Sequence, residues 1–400
     1  MEAKTFYLSF LVAAMFTQLQ AQNSPYISRV VEYKPAPGQH INRVFPPAAM
    51  STSYENALNF ANNILTSRKD SYALGVGGYG GYVIVAFDHP VVNVPGEYDL
   101  RTTGNNVYVT NTEIGAMAEP GIVMVCQDLN KNGIPDPDEP WYELEGSAHS
   151  HPETIHNYEI TYYRPNPDQQ QSNIPWTDNQ GNSGEIVHNP LYATQSTMYP
   201  LWVEEDSITF RGTRLPGNIS QMEHEYNGEI LTIIIQESFD WGYADNNVNI
   251  FDSDTQTYLE PIERTGLNLE WAVDENRNPV HLDYVDFIKI YTGQLQQIDP
   301  LGETSTELSG MGGVIDLHPD ALCIEAKTTN PIKLIIHDNN ITIAETNGVT
   351  TVTNIYNIMG SVVMSGIREQ SINISHLPTN LYILQVTTPY GVMTQKIIKN

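Results

Sequence analysis

Twelve consecutive residues, Asp128-Leu129-Asn130-Lys131-Asn132-Gly133-Ile134-Pro135-Asp136-Pro137-Asp138-Glu139, space oxygen atoms as a calcium site requires. Calcium is a hard cation that takes six to eight oxygen ligands. Asp128, Asn130 and Asn132 occupy positions 1, 3 and 5 of such a loop, and Gly133 at position 6 permits the sharp turn. Ile134 offers its backbone carbonyl at position 7, Asp136 takes position 9, and Glu139 can bind through both oxygens at position 12. Amides in place of two carboxylates lower the charge and the affinity, which the abundant calcium outside cells offsets. The bland alternative is an acidic surface turn that holds no ion.

Two further stretches could hold a ligand. Trp176-Thr177-Asp178-Asn179 and Asp240-Trp241-Gly242-Tyr243-Ala244-Asp245 each set an aromatic ring beside carboxylates and amides. Rings that stack on a sugar and polar groups that bond its hydroxyls are a saccharide-holding chemistry. Trp176, Asp178, Asn179, Asp240, Trp241 and Asp245 are therefore the candidate ligand-binding residues. A buried Trp beside a polar turn is an equally natural reading. Glu303 and Glu307, in Gly302-Glu303-Thr304-Ser305-Thr306-Glu307, could add ligand-binding carboxylates or form a plain acidic loop. His149, His151 and His156 could bind a transition metal, but their Ser- and Pro-rich surroundings read as an exposed loop. The glycines between Gly75 and Gly81 precede a strand and open no helix, so they fail as a phosphate loop and read as a tight turn. Cys126 lies in an apolar run and reads as a core thiol; a disulfide with Cys323 stays open. No serine–histidine–acid order or Cys–His pairing stands out, so no catalytic residue is assigned.

The elements that must position these residues are mostly strands. One helix is expected over Ser53 to Arg68, with Ser53 as N-cap and Ala57, Phe60, Ala61, Ile64 and Leu65 at helical spacing. After it come short segments rich in Val, Ile, Tyr, Phe and Thr: Gly81–Phe87, Tyr98–Thr102, Gly121–Gln127, Tyr158–Tyr163, Ser207–Gly212, Ile230–Glu237, Leu267–Val273 and Phe287–Tyr291. Gly, Asn, Asp and Pro separate them. This pattern predicts a mainly β fold, an antiparallel, jelly-roll-like sandwich with one N-terminal helix. The calcium loop, flanked by Gly121–Gln127 and Trp141–Leu144, resembles an EF-hand loop set between strands rather than helices. It reads as a clamp and not a switch.

Residues 1–21 are expected to be a secretory signal peptide, from Lys4, the apolar run Phe6 to Phe16 and the small-residue context at Ala21. The run is too short to span a bilayer, and nothing later approaches the ~20 apolar residues a membrane helix needs. Residues 22–52 read as an extended, Pro-rich lead, 53–318 as the central sandwich, 319–331 as a linker and 332–400 as a small Ig-like sandwich. The net charge is −28. It is concentrated ahead of the tail, since from Ala326 on five basic residues outnumber three acids. So acidic a surface repels phosphates and excludes nucleic-acid binding.

The tail carries Ile355-Tyr356-Asn357 followed by Gly360, then Leu377-Pro378 and Tyr382, and finally Lys396-Ile397-Ile398-Lys399. In this order, at the extreme C-terminus, these residues resemble the C-terminal sorting domain of the type IX (Por) secretion system of Bacteroidota. Asn380 stands where that family usually has Gly; Asn also tolerates a left-handed turn. The resemblance implies export, recognition of residues 332–400 by the type IX machinery, and a secreted or cell-surface product. The central region, through Gly80-Gly81-Tyr82-Val83, Glu119-Pro120-Gly121, the calcium-like loop and Leu301-Gly302-Glu303-Thr304-Ser305, looks like a group of uncharacterised Bacteroidota cell-surface proteins. Some of these are associated with capture of nutrients such as glycans or corrinoids, which is an association and not a site argument. The expectation is a calcium-stabilised, non-catalytic binding or adhesion protein for a glycan or other small molecule. The alternatives are a secreted glycan-acting hydrolase, whose two carboxylates sequence cannot pair across a cleft, and a structural surface component.

Overall fold

A computed structural model describes residues 23–44, 49–50, 52–68, 73–110, 114–166, 172–188, 197–248, 251–252, 257–258, 262–299, 301–310, 313–321, 333–337, 339–344, 352–357, 360–388 and 391–399. The expected signal peptide, Cys323 and most of the expected linker lie outside these residues. The chain divides into two compact units, Met1–Cys323 and Ile324–Asn400.

The first unit is built on a six-stranded antiparallel sheet. Its order is Arg29–Lys34, Tyr82–Val92, Tyr284–Thr292, Gly121–Cys126, Trp141–Leu144 and Ala272–Val273. The three strands after the edge are near-continuous apolar runs because both faces of the sheet are covered. On one face Val83, Val85, Val123, Val125, Ile288 and Ile290 pack with Ala57, Ala61, Ile64 and Leu65 of the helix Tyr54–Thr66. On the other, Ile122 and Tyr291 pack with Tyr158, Ile160, Tyr162 and Phe210. These last four side chains come from a second antiparallel sheet, ordered Ser183–Ile186, Ile174–Asp178, Ile155–Tyr163 and Ser207–Arg214. Each such buried side chain contributes roughly 1.5–3 kcal/mol. The result is the expected mainly β, sandwiched architecture, with the helix closing the outer face.

Ser53 caps the helix as its sequence position predicts, its hydroxyl accepting from the Asn56 backbone N–H at 3.2 Å. The glycine run is a close-packed turn: Gly77 and Gly80 sit at φ +77° and +83°. A Cβ on Gly77 would stand 2.0 Å from the Ala36 carbonyl oxygen, and one on Gly80 would stand 2.3 Å from Phe210 Cβ. Two elements differ from expectation. The lead segment is not merely extended, since Arg29–Lys34 pairs with Tyr82–Val92 and buries Val30 and Tyr33. Nor is Leu267–Val273 one strand, because the Asn268 side chain accepts from the Glu270 N–H and caps a short 3-10 turn over Leu269–Trp271.

The described residues of the second unit form seven strands. Lys333–His337, Asn340–Ala344 and Ser371–Asn373 form one antiparallel sheet. Val362–Ile367, Val352–Asn357, Asn380–Thr388 and Gly391–Lys399 form the other. Ile341, Ile355, Ile372, Tyr382, Leu384 and Val386 make its core. Gly360, at φ +77°, closes a tight turn by donating its N–H to the Asn357 carbonyl at 2.9 Å. Asn380 lies outside the left-handed region and opens a strand, so the missing glycine costs nothing there.

Candidate functional site

The twelve-residue loop joins two sheet neighbours, Gly121–Cys126 and Trp141–Leu144, which pair with Trp141 opposite Cys126. Asp128 and Glu139, at the two ends of the loop, are both buried. Asp128 accepts from the N–H groups of Asn132 (3.0 Å) and Gly133 (2.6 Å). Glu139 accepts from those of Leu129 (2.6 Å) and Asp136 (2.9 Å). Asn130 Oδ1 takes the Asn132 N–H and Asn132 Oδ1 takes the Ile134 N–H. The amides of Asn130 and Asn132 then converge on one atom, Asp136 Oδ2, each at 2.6 Å. Gly133 sits at φ +81°, as the turn requires. The loop backbone is thus wound by its own side chains, and positions 3, 5 and 9 meet at a point. The groups that converge there are amide N–H donors on one carboxylate oxygen, with the amide oxygens turned to backbone N–H groups, so the loop as it stands is a self-bonded turn. Among the described residues no three His, Cys, Asp or Glu side chains group as a metal site, so an ion here would depend on amide and carbonyl oxygens as well as carboxylates. Asp286, from the central strand, accepts the Asp128 N–H at 2.8 Å and adds a carboxylate that loop spacing could not reveal. Cys126, just before the loop, is a free buried thiol. Burial and the nearby acids Glu139, Asp286 and Asp128 push it up to about 12, so it stays protonated and unreactive.

The six candidate ligand-binding residues do not form one site. Trp176 and Asp178 share a hairpin with Ser183–Ile186 and line one cleft of about 270 Å³, together with Tyr79, Asn182, Arg214 and Gln296. Asp178 also shapes its own turn, accepting from Gln180 and Asn182 N–H groups and from Tyr158 Oη. Asn179 turns instead to the neighbouring strand, donating to the Asn157 carbonyl and accepting the Glu159 N–H. Trp241 packs on Trp271 with ring centroids 4.6 Å apart, and Asp240 is exposed. Asp245 is buried, at φ +50°, and its carboxyl accepts from the N–H groups of Asn105, Asn106 and Glu307. It ties loops together rather than facing solvent.

A second cavity, of about 190 Å³, adjoins the first through Glu303 and Thr304, which border both. Gln39, Glu119, Glu303, Ser305 and Glu307 line it. Burial, with Glu307 and Asp245 nearby, pushes the Glu119 carboxyl well above its ordinary range. Burial lifts Glu303 and Glu307 to about 7 each. The Gly302–Glu307 stretch therefore supplies two of three carboxyls in one cavity. Glu119, which precedes the strand Gly121–Cys126, is the member that no local motif announces.

The histidines do not converge on a metal. His149 is buried and bonded, its Nε2 2.9 Å from Glu143 Oε1, while its Nδ1 takes the Gly146 N–H at 2.7 Å and lies 2.8 Å from Tyr243 Oη. His156 stacks on it, and His151 is exposed. Glu143 also receives Thr213 Oγ1 (2.8 Å), Arg277 Nη1 (2.9 Å) and Tyr291 Oη (2.9 Å). Burial raises this carboxyl, but the bonds from His149, Thr213 and Tyr291 outweigh it and hold it at about 2.

With both units described, the tail can be compared with known families. Residues 330–400 match the secretion system C-terminal sorting domain. The protein is exported, and it is secreted or resides on the outer cell surface. The sorting tail implies interaction with the type IX machinery. Among the described residues no helix is long and apolar enough to cross a membrane. No curated protein matches the chain.

Proposed function

We propose that the first unit is an extracellular capture module that holds a small polar ligand, a saccharide or a similar nutrient, without converting it. The Trp176 cleft carries this reading. It sets one aromatic ring among Asp178, Asn182, Arg214 and Gln296 in a concavity of about 270 Å³, the mix of apolar face and directed polar groups that small-molecule sites use. In the same reading, Asp128, Asn130, Asn132, the Ile134 carbonyl, Asp136 and Glu139 would hold a structural calcium that neutralises the loop. The resemblance of the central region to Bacteroidota surface proteins agrees with this reading. Titration of the full chain against a panel of neutral mono- and oligosaccharides should find a binder that Trp176→Ala weakens tenfold or more. A binder indifferent to that change would move the site elsewhere and end this reading.

A glycan-acting hydrolase is the second reading, because Glu303 borders the same cleft with its carboxyl raised to about 7, a value suited to a general acid. It requires release of reducing ends from a glycan, abolished in Glu303→Gln.

A further inference from the structure

We infer that the cavity between Gln39, Glu119, Glu303 and Glu307 is a subsite for a primary ammonium group. Gln39 and Glu303 are only 8% and 5% exposed. Among the described residues, Gln39 Oε1 and Glu303 Oε2 nevertheless have no hydrogen-bond partner. Both residues line the cavity. A buried acceptor left unmade is costly, so two in one cavity point to a donor that arrives from outside.

The orphan atoms are not loose ends, because the rest of each group is engaged. The Gln39 N–H donates to Glu303 Oε1 at 2.7 Å, and Gln39 Nε2 donates to the Leu301 carbonyl at 2.8 Å. Two glycines make room for this arrangement. A Cβ at Gly38 would stand 2.6 Å from Glu303 Oε1, and one at Gly302, which is at φ +106°, would stand 2.7 Å from Gln39 Oε1. Glu119 Oε1 takes the Ser305 N–H at 3.1 Å, and Glu307 takes the Asn105 side-chain amide.

The cavity is therefore rich in acceptors and negative charge, and no Lys or Arg is among the described residues that line it. An ammonium brings three donors and one positive charge to such a site. A divalent cation fits less well, since it needs a close shell of oxygens and the described acidic side chains form no metal group. The volume of about 190 Å³ admits an ammonium with a short carbon chain. Trp176 does not line this cavity, although Glu303 and Thr304 border it and the Trp176 cleft alike, so the Trp176 variant separates this inference from the saccharide reading.

Calorimetric titration of the full chain with 1,4-diaminobutane, and with 1,4-butanediol as the neutral counterpart, tests this. The diamine should bind saturably at pH 8 and the diol should not. Glu119→Gln and Glu303→Gln should each weaken the diamine at least tenfold, with folding checked by circular dichroism. Trp176→Ala should leave diamine binding intact. Wild-type affinity should fall tenfold or more from pH 8 to pH 5.5. Over that range Glu303 and Glu307, each raised to about 7, take up protons, while burial already holds the carboxyls of Glu119 and the adjoining Asp245 well above their ordinary range; His40 also lines the cavity, and the nearby phenols of Tyr33 and Tyr162 are pushed up by burial and stay neutral. Equal binding of diamine and diol, no diamine binding at pH 8, or full binding in both folded glutamine variants would overturn the inference.

Discussion

Glu143 and Glu303 are both buried glutamates of the same unit, yet they hold protons at opposite ends of the scale. Glu143 collects four side-chain donors, from His149, Thr213, Arg277 and Tyr291, and stays ionised down to about pH 2. Among the described residues Glu303 receives no side-chain donor; it takes the Gln39 N–H on one oxygen and leaves the other unsatisfied, shares its cavity with Glu119 and Glu307, and is lifted to about 7. Burial acts on both in the same direction. The difference is the number of donors and the sign of the neighbours. A saturated carboxylate is a structural post, whereas an unsaturated one in a cavity is held ready for something else.

The sharpest way to break this contrast is to neutralise each acid at pH 7. Glu143→Gln should cost about 3–5 kcal/mol, because it removes the buried charge on which His149, Thr213, Tyr291 and the partly buried Arg277 converge. Glu303→Gln should be neutral or stabilising, since it removes a charge the cavity disfavours. Urea denaturation of both variants measures the difference, and equal losses would erase the distinction.

The next largest effect is on pH dependence. The folded value of Glu303 lies above its unfolded one, so its stabilising contribution is full below about pH 4.5 and is lost as pH rises through about 7. The swing is roughly 3 kcal/mol. Glu143 runs the other way: its contribution is full above about pH 4.5 and vanishes only as pH falls toward 2. Unfolding free energies measured between pH 4 and 8 should decline with pH in the wild type and flatten in Glu303→Gln. A slope unchanged by the substitution would show that Glu303 is not the group titrating.

The calcium-like loop sits between these extremes, since its acids are bonded to backbone N–H groups and still converge. With free calcium at 100 times its dissociation constant, a bound ion would add about 2.7 kcal/mol. Chelator should therefore lower the Tm, and Asp128→Ala should remove that response. A Tm indifferent to chelator would make the loop a self-sufficient turn.

Much of the local structure is legible along the chain. The seven tail strands, the Ser53 cap and the Gly133 turn are each set by neighbouring residues, through a period of two, a side-chain acceptor or a backbone angle. The ligand-binding residues were less legible. Trp176 and Trp241 have the same sequence context, but one lines a cleft and the other stacks on Trp271. The edge strand Arg29–Lys34 was obscured by the prolines that follow it, although its partner lies some fifty residues on.

By itself, then, the order of residues determined where the protein goes, the β character of both units and the oxygen spacing of one loop, because each is written in contiguous residues. The fate of the acids was decided only by tertiary structure. Gln39 and Glu303 meet across 264 positions, and His149, Thr213, Arg277 and Tyr291 gather on Glu143 from four separate segments. Whether a carboxyl is saturated or left wanting depends on how many donors the folded chain brings to it, and no local spacing encodes that count.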